Sequence, residues 1–215
     1  MPSNVVISIF GRKGGGKSFL TKEIIEEHRR VFIFDTVGEY EGAIESFEAG
    51  VQATLEAQEK RRFKIAFRIV NDEDALRLMR LVYDVPRTLV VFEETSFYCS
   101  PSYLPEELAR FVRYGRHREI SQIYISRRPA EISRDLTAQS DIIVSFQQHE
   151  PADLEYLGRV MGPEAARELP RLPRYAIVAS GDLNVAPLPI LERLARQEPS
   201  PRGERKRLTE ESEED

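Results

Sequence analysis

VVISIFGRKGGGKS, residues 5–18, decides how the whole chain is read. The apolar run Val5 to Phe10 stops at Gly11 as a buried parallel strand would, and Lys17 to Arg30 then carries Leu20, Ile24 and Ile25 at helical spacing. Between strand and helix stand Gly11, four residues, and then Gly16, Lys17 and Ser18. Glycines at 14, 15 and 16 let backbone N–H groups turn inward around phosphate oxygens where side chains would collide. The start of the helix adds a favourable dipole. Gly11, Gly14, Gly15, Gly16, Lys17, Ser18 and Phe19 are therefore the predicted nucleotide contacts. Lys17 is expected to reach the β and γ phosphates, and Ser18 to offer its hydroxyl to Mg²⁺.

Outward from this loop, strands and helices alternate. Val31 to Phe34 reads as a second strand and is followed by the polar loop DTVGEY. Residues 42–60 are ambiguous, with short helices the expectation. Phe63 to Val70 reads as a third strand, and Asp72 to Tyr83 as a helix capped by Asn71. Thr88 to Phe92 is the most apolar strand. A helix from Glu106 to Tyr114 and strands at Gln122 to Ser126, Ile142 to Phe146 and Tyr175 to Ala179 complete the series. Such alternation implies an α/β fold, a three-layer sandwich around a mainly parallel central sheet. Residues 1–195 are read as one phosphate-loop domain. Residues 196–215, with a single aliphatic residue, Leu208, are read as a charged, disordered tail.

The acids lie where a phosphate loop needs them. TLVVFEE places Glu93 and Glu94 at the end of the most apolar strand and looks like a Walker B element. Glu93 is the predicted metal-side acid, acting on Mg²⁺ through water, and Glu94 the predicted general base for the attacking water. A net charge of −5 argues against a uniformly basic coat, yet Arg110 to Arg134 holds seven arginines against Glu119 and Glu131. One cysteine, Cys99, excludes an internal disulfide, and no apolar run approaches the roughly 18 residues of a membrane span. A cytoplasmic protein is expected.

With these elements, three further segments resemble the HerA/FtsK superfamily of DNA-pumping ATPases across roughly residues 5–157. FDTVGEY, with Asp35, Gly38, Glu39 and Tyr40, is similar to the superfamily's D-x-x-G-E-Y/F segment. GRHREISQIYISRRPAEI resembles its G-R, strand, T/S-Q-R-P stretch, with Gly115, Arg116, Ser126, Arg128 and Pro129 in matching places. LTAQSDIIVSFQ is similar to the strand that follows. Arg127 departs from the pattern, standing where the superfamily has a Gln thought to sense the γ-phosphate. It could keep that contact with added charge, or serve DNA or a neighbouring subunit.

The resemblance implies a RecA/HerA-FtsK-like fold, ATP as the nucleotide, double-stranded DNA as a partner, and a homo-oligomeric ring of five or six subunits. In such a ring an arginine completes the neighbouring site, and Arg116 is the first candidate. Arg113, Arg118, Arg128 and Arg134 are the candidates for gripping DNA phosphates. HerA-like partners add an N-terminal barrel, and FtsK-type and Zot-like proteins add membrane segments. This chain shows none of these and most resembles the genome-packaging ATPases of tailless, membrane-containing double-stranded DNA viruses. Capsid or viral membrane proteins would then be further partners, and a packaging vertex a further location. The alternatives are a Zot-like or HerA-like ATPase of phage extrusion or DNA processing, and a non-hydrolysing nucleotide-binding scaffold. A small GTPase is disfavoured, since the NKxD motif is missing.

Overall fold

The computed structural model describes residues 4–181. Seven strands form one sheet: β1 (Val6–Phe10), β2 (Arg30–Asp35), β3 (Phe63–Arg68), β4 (Leu89–Phe92), β5 (Ser121–Ser126), β6 (Ile142–Ser145) and β7 (Val178–Gly181). Their order across the sheet is β3-β2-β4-β5-β1-β6-β7. All pairings are parallel except β6 with β7, which is antiparallel. The connections carry helices α1 (Lys17–Glu26), α2 (Phe47–Ala57), α3 (Asp72–Tyr83), α4 (Glu106–Tyr114), α5 (Arg134–Ala138), α6 (Pro151–Met161) and α7 (Pro163–Glu168). Among the described residues no helix is long and apolar enough to cross a membrane.

Alternation along each strand sends successive side chains to opposite faces, and the two faces differ in kind. Ile7, Ile9, Val31, Ile33, Val91, Ile123 and Ile125 pack with Leu20, Ile24 and Ile25 of α1. The other face is aromatic: Phe32, Phe34, Phe67, Phe92 and Tyr124 pack beneath residues of α3 and α4. In register, Phe67, Phe34, Phe92 and Tyr124 form a row across β3, β2, β4 and β5. Ring centroids along this row are 5.5, 5.2 and 5.3 Å apart. Phe111 of α4 closes on Phe92 edge-on at 5.4 Å.

Most strand ends lie within two residues of the sequence reading, and three differences are larger. The first helix ends at Glu26, not Arg30, because Arg30 is already the first residue of β2 and lies opposite Phe63. Residues 42–60 contain one helix, α2, whose first turn is capped by Ser46 Oγ accepting from the Ala49 N–H at 3.1 Å. The last strand begins at Val178, not Tyr175. Pro173 to Ala176 is a turn closed by the Ala176 N–H on the Pro173 carbonyl at 3.1 Å, with Tyr175 at φ +71°. The expected tail, 196–215, lies outside the described residues.

Replacing Phe92 by Ala removes the ring that touches Phe34, Phe111 and Tyr124. A loss of about 3 to 5 kcal/mol in unfolding free energy is expected, measured by denaturant titration.

Candidate nucleotide site

Parallel strands bring their C-terminal ends to one edge of the sheet, and in an open α/β sheet the crevice beyond that edge is where ligands bind. β1 delivers the glycine loop there, β4 delivers Glu93 and Glu94, β2 delivers DTVGEY, and β5, lying between β1 and β4, delivers Arg127. A cavity of about 560 Å³ opens at this edge, lined by Lys13 to Phe19, Val37, Glu39, Glu93, Glu94, Arg127, Arg174 and Tyr175. Except for Gly11, which lies at the foot of the loop, it holds every predicted nucleotide contact together with both predicted acids.

The loop is a compact turn. The Gly15 N–H donates to the Arg12 carbonyl at 3.1 Å, and Gly16, the N-cap of α1, adopts φ +112°. A Cβ on Gly16 would lie 2.9 Å from Phe146 Cε1 and 3.2 Å from Tyr175 Cδ1, so conformation and space both require glycine. Lys17 is buried and folds back over the loop, its Nζ donating to the carbonyls of Gly11 at 2.7 Å and Arg12 at 3.3 Å. Burial lowers its pKa, opposed by Glu94 and Glu93. A phosphate in the loop would offer this ammonium charged acceptors in place of carbonyl oxygens, which favours its transfer.

Asp35 has no access to solvent and organises the neighbouring loop. Its Oδ1 accepts the N–H groups of Val37, Gly38 and Glu39 at 3.2, 2.6 and 3.2 Å, and its Oδ2 accepts that of Tyr40 at 3.2 Å. Thus D-T-V-G-E-Y wraps its backbone around one carboxylate and aims Tyr40 at the site. The Tyr40 hydroxyl donates to Glu93 Oε1 at 2.9 Å. Thr36 Oγ1 donates to the Glu93 carbonyl at 3.1 Å, tying the ends of β2 and β4 together. Glu93 is 2% exposed. Burial pushes its pKa up to about 7, the Tyr40 hydrogen bond opposes this, and Glu39 and Asp35 add to it.

Glu94 is turned differently from Glu93, with φ +41° and ψ +64°, a left-handed conformation that a non-glycine residue adopts at a cost. Its Oε2 pairs with Arg127 Nε at 3.1 Å. The Arg127 backbone is held by buried Gln148, whose Nε2 donates to the Arg127 carbonyl at 3.1 Å. The Glu94–Arg127 pair also borders a second cavity, of about 550 Å³, lined by Arg12, Lys13, Arg128, Glu131 and His149 among others. Arg127, the departure from the superfamily pattern, therefore sits directly on the predicted general base.

The remaining arginines do not share one place. Residues 115–118 precede β5 and residues 127–128 follow it, so Arg116 and Arg127 lie at opposite edges of the sheet. Arg116 borders a small hollow with Asn4, Gln122 and Asp141 at the N-terminal ends of β1, β5 and β6. Gly115 beside it is fixed by packing, since a Cβ there would meet Gln122 Nε2 at 2.5 Å. Each DNA candidate has a partner within the chain. Arg113 pairs with Asp135 at 3.6 Å, and Arg118 Nη2 donates to the Asp84 carbonyl at 2.8 Å. Arg128 Nε donates to buried Asp153 at 2.6 Å, and Arg134 lies 3.9 Å from the centre of the Tyr156 ring.

Mg²⁺ suits the donor set, which consists of hard oxygens: the Ser18 hydroxyl at the loop and the buried Glu93 carboxyl, both lining the same cavity. A carboxyl held near pKa 7 by burial is one that an adjacent cation would ionise.

Residues 6–95 match the family model described as Helicase HerA, central domain. Among solved structures, the genome packaging NTPase B204 from Sulfolobus turreted icosahedral virus 2, in complex with ATP-gammaS, superposes with a TM-score of 0.70 at 16% identity. The match covers 86% of this chain and 96% of that one. Its AMPPCP complex gives 0.69 at 18% identity over the same shares. The pCW3 conjugation coupling protein TcpA gives 0.54 at 16% identity, covering 84% of this chain and 58% of that one. Among proteins of curated function none matches. The chain thus resembles the HerA/FtsK superfamily, as its motifs imply, and has the P-loop NTPase fold of these structures.

Because the folded pKa of Glu93 is raised above the ordinary carboxylate value, folding takes up a proton between about pH 4.5 and 7. The stability associated with the neutral carboxyl is complete below that window and is lost as pH rises through it. Without nucleotide, Glu93→Gln is expected to flatten this pH dependence and to exceed the parent at pH 8, on the order of 2 to 3 kcal/mol, in denaturant unfolding. Asp35→Ala leaves up to four N–H groups without their acceptor, and a loss of about 2 to 4 kcal/mol is expected in the same measurement.

Proposed function

We propose that this chain is an ATP-hydrolysing translocase of double-stranded DNA that works as a homo-oligomeric ring and drives a viral genome into its capsid. The observation that carries the reading is the meeting of Lys17, Glu93, Glu94 and Arg127 in one cavity beside the glycine loop. A phosphate-binding turn alone would serve a kinase or a scaffold. A second carboxylate, aimed at the same cavity and separate from the metal-side acid, serves hydrolysis. The matches to a HerA central domain and to genome packaging NTPases support DNA as the cargo.

In this reading the loop N–H groups and Lys17 hold the β and γ phosphates; Ser18, and Glu93 through water, would hold Mg²⁺, which would offset phosphate charge. Glu94 takes the proton of the attacking water, and Arg127 holds Glu94 until phosphate oxygens compete for its guanidinium. Tyr40 fixes the rotamer of Glu93 through the 2.9 Å hydrogen bond, with Asp35 holding the loop that carries Tyr40.

Arg116 completes the site of a neighbouring subunit. Its own site lies at the far end of β5, six residues long and so about 20 Å away. DNA is gripped at its phosphates without reading of bases, which makes binding sensitive to salt.

Duplex DNA is expected to stimulate ATP hydrolysis by the parent, and Lys17→Ala and Glu94→Gln to reduce turnover roughly 100-fold or more in a phosphate-release assay. Equal turnover with and without DNA, together with a fully active Glu94→Gln, would defeat the proposal. Mixing Arg116→Ala with Glu94→Gln subunits is expected to restore part of the activity, because some interfaces then pair an intact Glu94 with an intact Arg116. No recovery at any ratio would remove Arg116 from this role.

A further inference from the structure

The turn before β7 lies against the phosphate loop. Pro173, Arg174, Tyr175 and Ala176 form a tight turn closed by the 3.1 Å hydrogen bond between its ends, with positive φ at its third residue only. That is the pattern of a type II turn, whose third position ordinarily takes Gly or Asn. Here it holds Tyr175 at φ +71°, a cost to the fold, and the residue is nevertheless 52% exposed. Its edge lies over Gly16, 3.2 Å from where a Cβ would stand, and Arg174 Nη2 lies 3.9 Å from the same point on Gly14. The Arg174 guanidinium is 4.8 Å from the centre of the Tyr175 ring.

Across the loop, Phe19 in the first turn of α1 is 59% exposed and lines the same cavity. Two large aromatic rings are therefore left in water at the mouth of one site, one of them in a backbone conformation that its residue type disfavours. Neither ring belongs to a packed core cluster.

Resting on the nucleotide reading above, we propose that Tyr175, backed by Arg174, is the platform on which the base of the nucleotide stacks, with Phe19 bordering the same slot. The phosphates occupy the glycine loop, and the base leaves it over Gly16, where the Tyr175 ring stands. A π face accepts any base and a larger one more strongly, so this platform selects for the presence of a base, purines above pyrimidines, without reading its edge. Arg174 is a positioning residue that holds the ring by its cation–π contact and places positive charge beside the phosphate loop.

Calorimetric titration of the full-length protein with ATP and, separately, with inorganic tripolyphosphate distinguishes the base from the phosphates. Tyr175→Ala is expected to weaken ATP binding roughly 5- to 150-fold and to leave tripolyphosphate binding unchanged, and Tyr175→Phe to bind ATP like the parent. Tyr175→Gly relieves the turn, so its thermal midpoint without ligand is expected to equal or exceed the parent's while its ATP affinity falls. A purely structural role would move both in the same direction. If Tyr175→Ala binds ATP as tightly as the parent, or loses tripolyphosphate in equal proportion, the platform is wrong. In that case a Lys17→Ala protein that binds neither ligand would leave the nucleotide site standing. A parent that binds neither ATP nor tripolyphosphate overturns the site and the platform together.

Discussion

The in-register row of Phe67, Phe34, Phe92 and Tyr124 is the constraint on which the site depends. Parallel strands can slide past one another by two residues without exchanging faces, and a slide of that size would move one end by about 7 Å. Four rings in contact at 5.2 to 5.5 Å, one per strand, two pairs of them stacked and one tilted, hold the strands in this register. Because Asp35 follows Phe34 directly and Glu93 follows Phe92 directly, the row fixes the heights of both acids, and Tyr124 fixes that of Arg127 three residues on. The edge that carries the glycine loop and the two acids is thus aligned from below by packing, and the polar groups above need to supply only local aim.

That local aim comes from nested contacts. Asp35 accepts four backbone N–H groups and so folds the six residues that carry Tyr40. Tyr40 in turn holds Glu93, whose burial pushes its pKa up to about 7. Glu94 next to it adopts a strained left-handed backbone and pairs with Arg127 at the same cavity. Two adjacent acids therefore acquire different surroundings, one buried against Tyr40, the other tethered to Arg127.

The fold and the phosphate loop were legible because their signals are local. An apolar run ending in glycines and followed by helical spacing needs no distant partner to be read, and TLVVFEE needs only the strand before it. DTVGEY was visible as a motif through resemblance, but its physical reason, four N–H groups on one carboxylate, became clear only in three dimensions. Arg174 and Tyr175 left no signal, since their contact with Gly14 and Gly16 spans about 160 residues of sequence and the turn has a tyrosine where glycine would have marked it. The density of arginines was plain to see, but their placement was not. A charge count carries no information on strand direction, and β5 divides the cluster between two edges.

That division gives β5 a mechanical character. It is hydrogen-bonded on both sides and buried from Gln122 to Ser126, so it has little freedom to bend and none to stretch. It joins Arg127, in contact with Glu94, to the turn that carries Arg116 at the opposite rim, as a tie rod joins two walls. Strain set up at one end is passed along the strand to the other, so the two rims of the sheet are mechanically coupled through β5.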